Sequence, residues 1–137
     1  MLQVPTYKFV LGCAMDDLMQ KLIDNHPAVF KGEWPRGPSW LPAGWYPLCH
    51  DLCAEIEREL TMEELEHLQV TQVKEKWGSL HFYCSGPRDH DIDLVVRRAE
   101  EASESICMVC GEQGKKYTDG WHRVMCAAHE RRRRDGR

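Results

Sequence analysis

Apolar residues recur along this 137-residue chain with a helical period in some stretches and a strand period in others. Between Cys13 and Asn25, Leu18, Leu22 and Ile23 (with Met15 and Met19) share one helical face, and Asn25 with Pro27 predicts the stop. A second helix is predicted from about Tyr46 to Leu60, where Leu48, Leu52, Ile56 and Leu60 repeat every fourth residue. Thr61-Met62-Glu63-Glu64 has the pattern of a capping box and starts a further short helical segment through His67. A third helix spans about His90 to Ser105, with Ile92, Val95, Val96, Ala99, Ala102 and Ile106 as its stripe.

The period shortens to two between Val70 and Cys84. Val70, Gln72, Lys74 and Lys76 share one parity; Thr71, Val73, Glu75 and Trp77 share the other. Gly78-Ser79 breaks the alternation and Leu80 to Cys84 resumes it, which predicts an antiparallel hairpin turning near Trp77-Gly78. Residues 31–47 fit neither period. They hold four prolines and three glycines interleaved with Trp34, Trp40 and Trp45. We expect an ordered loop pinned over the core by its aromatics, with those three tryptophans as candidate partner-binding residues, since Trp is enriched at interface hot spots.

Beyond the third helix the chain carries metal chemistry. Cys107, Cys110, Cys126 and His129 spell C-x2-C-x15-C-x2-H. Each pair can bite one ion from a single turn, and four borderline-soft ligands complete a tetrahedral shell, so the pattern predicts one structural Zn2+. Gly111 suits the tight turn after the second ligand. Asp119-Gly120, flanked by Lys115–Thr118 and Trp121–Met125, predicts a hairpin with a two-residue turn. Ala127, Ala128, Glu130 and Arg131 to Arg134 favour a closing helix. Knuckle, hairpin and ligand-bearing helix together are the layout of a treble-clef zinc finger.

The expected fold is therefore α+β: three helices around a small antiparallel β-hairpin, with a C-terminal treble-clef-like zinc finger. Residues 1–104 form the body and residues 105–137 the zinc module with its basic terminal helix. A chain that is 42% hydrophobic and 29% charged is ordinary for a globular domain. No apolar run approaches the ~20 residues a membrane span needs, so no membrane partner is expected. Seven cysteines, an odd number with four in the metal pattern, and no apparent export signal lead us to expect a reducing cytoplasm.

Charge is unevenly spread. Residues 1–114 hold ten basic and nineteen acidic side chains, while residues 115–137 hold eight basic and three acidic ones. An acidic body with a basic tail favours a protein partner, with phosphate contact confined to the tail. The nucleic-acid candidates are Lys115, Lys116, Arg123, Arg131, Arg132, Arg133 and Arg134. Cys49, His50, Cys53, His81 and Cys84 make a second metal site imaginable, but His81 and Cys84 point to opposite faces of a strand. Buried thiols that behave as small hydrophobes are the plainer expectation. His50-Asp51 is expected to be surface polarity, and a redox role for Cys107-x2-Cys110 is disfavoured because a glycine and a hairpin follow it.

Val73 to Tyr83, reading VKEKWGSLHFY, resembles the "qvKeKfGgLRfY" signature of a family of small uncharacterised bacterial and phage proteins. Gly44-Trp45 through Leu48, Leu52 and Ile56 resembles that family's helix opening. Ser105 to Gly111, Gly120-Trp121 and Cys126 to His129 resemble its Cys/His tail. The likeness covers about residues 44–130 and departs from the pattern at His81 and Met125. It implies a phage or prophage setting in a bacterial host cell, and no particular activity. The function expected is a non-enzymatic, zinc-stabilised protein acting through protein–protein contact, in one version as an inhibitor of host machinery or defence. The alternative is a nucleic-acid-binding zinc-finger protein using its basic C-terminal module. A hydrolase would need an open metal position that four protein ligands deny.

Overall fold

Helices form where the apolar period is 3.6 and strands where it is two. The computed structural model describes residues 12–87 and 92–136. In order, it contains α1 (Gly12–Asn25), α2 (Pro27–Phe30), a 3-10 turn (Ala43–Trp45), α3 (Tyr46–Glu59) and α4 (Met62–His67). Then follow β1 (Gln69–Lys76), β2 (Ser79–Ser85), α5 (Ile92–Ser103), β3 (Lys115–Tyr117), β4 (Arg123–Met125) and α6 (Ala127–Arg134). The fold is mixed α+β with six helices and two small antiparallel hairpins among the described residues.

Three helices are thus too few. Helices α1, α3 and α5 occupy the predicted stretches, and α4 and α6 follow the capping-box and post-Cys126 segments. Helix α2 has no counterpart in the sequence reading. Pro27 ends α1 but sits at the first turn of α2, where its missing N–H costs nothing. The start of α5 expected at His90, the N-terminal segment and the side chain of Met15 lie outside the described residues.

The capping box forms as the residue types predict: Thr61 Oγ1 accepts from Glu64 N–H at 3.1 Å, and Glu64 Oε1 accepts from Thr61 N–H at 2.8 Å. The β1–β2 hairpin pairs Lys76 with Ser79, leaving Trp77-Gly78 as a two-residue turn. Both turn residues have positive φ, 57° and 77°, as a primed turn demands. Gly78 adopts this freely, whereas Trp77 is held in a region most side chains avoid.

Both edges of this hairpin are closed. On the β1 side, Gly37 N–H donates to Thr71 O and Trp40 N–H to Val73 O, both at 2.9 Å. On the β2 side, Leu80 N–H donates to Ser103 Oγ and Phe82 N–H to Glu100 Oε2, again at 2.9 Å. Side chains of α5 thereby stand in for a third strand. The inner face (Val73, Leu80 and Phe82) is buried against α5, which packs on α3.

Among the described glycines, Gly44 has the least room for a side chain. A Cβ there would stand 2.0 Å from Cys107 O and 2.7 Å from Gly111 N, both main-chain atoms. The glycine lets its own N–H donate to Met108 O at 2.8 Å, and Trp45 Nε1 donates to Ile106 O at 2.9 Å. Met108 and Val124 join one apolar cluster with Trp45, Ile56 and Leu80. The expected boundary between residues 104 and 105 is therefore crossed by shared core. Gly44→Ala should destabilise the protein by about 3 kcal/mol, the upper part of the overpacking range, because backbone cannot swing aside. Urea denaturation monitored by tryptophan fluorescence measures it.

Candidate metal centre

Cys107 and Cys110 lie on the turn after α5, and Gly111, with φ 84°, reverses the chain after them. Cys126 is the N-cap of α6, and His129 lies in that helix's first turn. Cys126 Sγ accepts from His129 N–H at 3.5 Å, so the cap that starts the helix also orients the second ligand pair. All four ligand atoms lie within 4.8 Å of one another, and the cluster could hold a metal ion. The spacings fit that use. Cys110 Sγ to Cys126 Sγ is 3.8 Å, Cys107 Sγ to His129 Nδ1 is 3.7 Å and Cys126 Sγ to His129 Nδ1 is 3.2 Å. A tetrahedron with arms of about 2.3 Å to sulfur and about 2.0 Å to nitrogen has edges of about 3.8 and about 3.5 Å.

The protonation chemistry points the same way. Burial, with the neighbouring thiols, pushes the Cys110 thiol up to about 11. Burial also raises Cys126, but the backbone N–H of His129 and the adjoining thiols outweigh it, and its thiol ends below the ordinary value. Burial, then the Arg132 charge, holds His129 below the ordinary value and favours the neutral imidazole that ligates metals. Clustered thiols cannot all ionise alone. A divalent cation inverts that balance and takes them as thiolates.

The second ligand pair is set by Arg123. This side chain is 1% exposed and its five N–H groups find five acceptors. Nε and one terminal nitrogen meet the Glu130 carboxylate at 3.0 and 2.8 Å. That terminal nitrogen also reaches Asp119 Oδ1 at 3.1 Å, and the other donates to the carbonyls of Asp119 and Trp121 at 3.2 and 2.7 Å. The β3–β4 connection bends around the guanidinium. Tyr117 pairs with Arg123, so five residues, not the expected two, span the loop.

Four of the seven basic candidates are engaged in ion pairs. Arg123 is buried in ion pairs and unavailable to phosphate, which corrects its expected nucleic-acid role. Arg133 and Arg134 also bond Glu130, and Lys116 pairs with Glu104 at 3.3 Å. Arg131, Arg132 and Lys115 remain exposed, with Lys115 over the Tyr117 ring. Of the tryptophans, Trp45 is fully buried and cannot be a contact residue, Trp40 is half-buried, and Trp34 is 42% exposed. Trp77 and Trp121 are exposed further, at 67% and 56%; Trp77's place in a predicted turn was the available signal.

Cys49, Cys53 and Cys84 do not assemble a second site. Burial pushes Cys49 up to about 12, Cys53 well above its ordinary value and Cys84 up to about 11. They stay protonated and pack as small hydrophobes. His50 is not mere surface polarity, contrary to expectation. Its Nδ1 meets Nε2 of buried His26 at 2.8 Å, and His26 Nδ1 meets Glu57 Oε2 at 3.1 Å. An ionised Glu57 only accepts, so His26 donates to it, and the chain of bonds fastens the α1–α2 junction to α3. No helix is long and apolar enough to cross a membrane among the described residues. Comparison with family models, with curated proteins and with solved structures finds no match for the chain.

Chelation, or Cys110→Ser, should remove amide-exchange protection from β3, β4 and α6 first, because their thin apolar core leaves the metal to close them. Purified protein without stoichiometric metal would refute the site. Glu130→Gln should cost about 3–5 kcal/mol by removing the buried one of Arg123's two counter-ions, Asp119 being exposed. Hydrogen bonds from Arg123, then Arg133, hold the Glu130 carboxyl well below the usual carboxylate range. Its contribution is complete above the unfolded value of about 4.3 and is lost as pH falls through the folded one. The stability gap between wild type and Glu130→Gln should therefore narrow in acid below about pH 4, measured by urea melts across pH.

Proposed function

We propose that Cys107, Cys110, Cys126 and His129 hold one Zn2+ in a treble-clef-like module. On this reading the chain is a non-enzymatic, zinc-stabilised binding protein whose work is contact with another macromolecule. The observation that carries it is the convergence of four protein ligands within 4.8 Å. Such a shell leaves no position for substrate or activated water, and three thiolates with an imidazole suit Zn2+. Surface depressions of about 630 and 410 Å³ lie at the α4–β2 end and include none of the four ligands.

Contact then falls to side chains that remain exposed. The C-terminal arginines support a nucleic-acid role weakly, because Arg123, Arg133 and Arg134 are engaged with Glu130, leaving Arg131 and Arg132 outside that cluster. The Trp-rich loop supports a protein contact only through Trp34, since Trp45 is core. The family resemblance suggests a phage or prophage setting in the cytoplasm of a bacterial host.

Cobalt substitution tests the closed shell. The Co2+ protein should show tetrahedral thiolate d–d bands that added azide leaves unchanged. A spectral shift with azide would reveal an open position and return metal-assisted hydrolysis to consideration.

A further inference from the structure

The β1–β2 hairpin turns one face to solvent, and its side chains are of one kind. Register pairs Gln72 with Tyr83, Lys74 with His81 and Lys76 with Ser79, so these six share that outer face. None is acidic, in a chain of net charge −4. The carboxylates at its margin are engaged: Glu104 accepts from Ser79 and is ion-paired to Lys116, Glu100 accepts from Phe82 N–H, and Glu75 accepts from Gly78 N–H. Aromatic rings line the same strip. His81 and Tyr83 stack with centroids 5.7 Å apart and planes at 21°, and Lys74 Nζ stands 6.0 Å from the Tyr83 ring. At the turn, Trp77 is 67% exposed and meets His122 edge-on at 5.3 Å.

Trp77 is the telling residue. Its φ of 57° is a conformation a glycine would hold without strain, yet the position carries the largest side chain, and carries it outward. Strain of this kind persists where the side chain is needed. An acid-free strip of lysines beside successive flat rings matches a chain of phosphates carrying unstacked bases. A protein partner uses exposed rings as separate anchors buried in pockets, whereas rings stacked beside lysines on one face match bases and phosphates alternating along a strand.

We propose that this face binds single-stranded nucleic acid, with Tyr83 and Trp77 stacking on bases and Lys74 and Lys76 contacting phosphates. The assignment rests on the binding-protein reading above and names its partner class. It places the contact on the hairpin rather than on the arginine helix.

The test uses the full zinc-loaded chain with a fifteen-nucleotide oligo-dT, the matching duplex and poly-glutamate, read by tryptophan quenching and anisotropy. Oligo-dT should bind more tightly than duplex. Two phosphate contacts should weaken it about sevenfold between 50 and 200 mM salt, and Lys74→Ala/Lys76→Ala should flatten that dependence. Tyr83→Ala and Trp77→Gly should each weaken binding at least about fivefold. Trp77→Gly suits the turn better and should melt no lower than wild type, which separates lost binding from lost folding. Met62→Ala, at an exposed apolar residue of α4, should bind as wild type. No binding at 50 mM salt, duplex bound as tightly with the ring variants unaffected, or poly-glutamate bound as tightly would each overturn the assignment. Any of these with a cobalt site indifferent to azide removes only the nucleic-acid partner; a cobalt site that responds to azide removes the binding-protein reading itself.

Discussion

The four side chains that could hold a metal ion come from two segments, and only geometry outside them can bring the second to the first. Arg123 supplies the geometry within the second segment, and Met108 N–H, donating to Val124 O at 2.9 Å, joins that segment to the first. Its guanidinium sits in the bend between β3 and β4, takes two carbonyls and a carboxylate from that bend, and clamps Glu130 on α6. Because Glu130 follows His129 directly, fixing it fixes the first turn of the helix that presents the imidazole and the Cys126 cap. A buried charge pair is costly to desolvate, and this one survives because all five donors are met. Arg133 and Arg134 close over the same carboxylate and complete the cluster.

This module is not an appendage. Gly44 lies against the backbone of the Cys107–Gly111 turn, and the Trp45 indole bonds across to Ile106. The Trp- and Pro-rich segment therefore acts as an internal seam between the helical body and the Cys/His cluster. Its other end runs along the edge of β1 and satisfies that strand's hydrogen bonds. One irregular segment thus closes a sheet edge and seats the metal turn. That explains how a stretch without periodicity can still be ordered.

With both hairpin edges closed, the outer face of the sheet is what β1 and β2 leave to solvent. Function is sought there because the conspicuous sequence features are spent elsewhere. The Cys/His quartet could hold a metal ion, Arg133 and Arg134 are engaged with Glu130, and one of the three loop tryptophans is core. Lysines and rings that make no such internal commitment are the ones free to meet a partner.

The sequence by itself determined most of the elements, α2 excepted, and the Cys/His quartet that could hold a metal. Apolar spacing placed α1, α3 and α5, the Thr61–Glu64 pattern placed α4, alternation placed β1 and β2, and cysteine spacing named the quartet. Each is a local rule, in which residues a few positions apart decide the outcome. What the sequence could not decide was exposure and pairing over distance. Trp45 and Trp77 look equally available in a string, yet one is fully buried and the other two-thirds exposed. Arg123 reads as one more basic residue until Glu130 and Asp119 surround it, and the Asp119-Gly120 turn widens for the same reason. Burial and charge neutralisation depend on which segments pack together. That depends on contacts such as Gly44 against Cys107, between residues far apart in the chain.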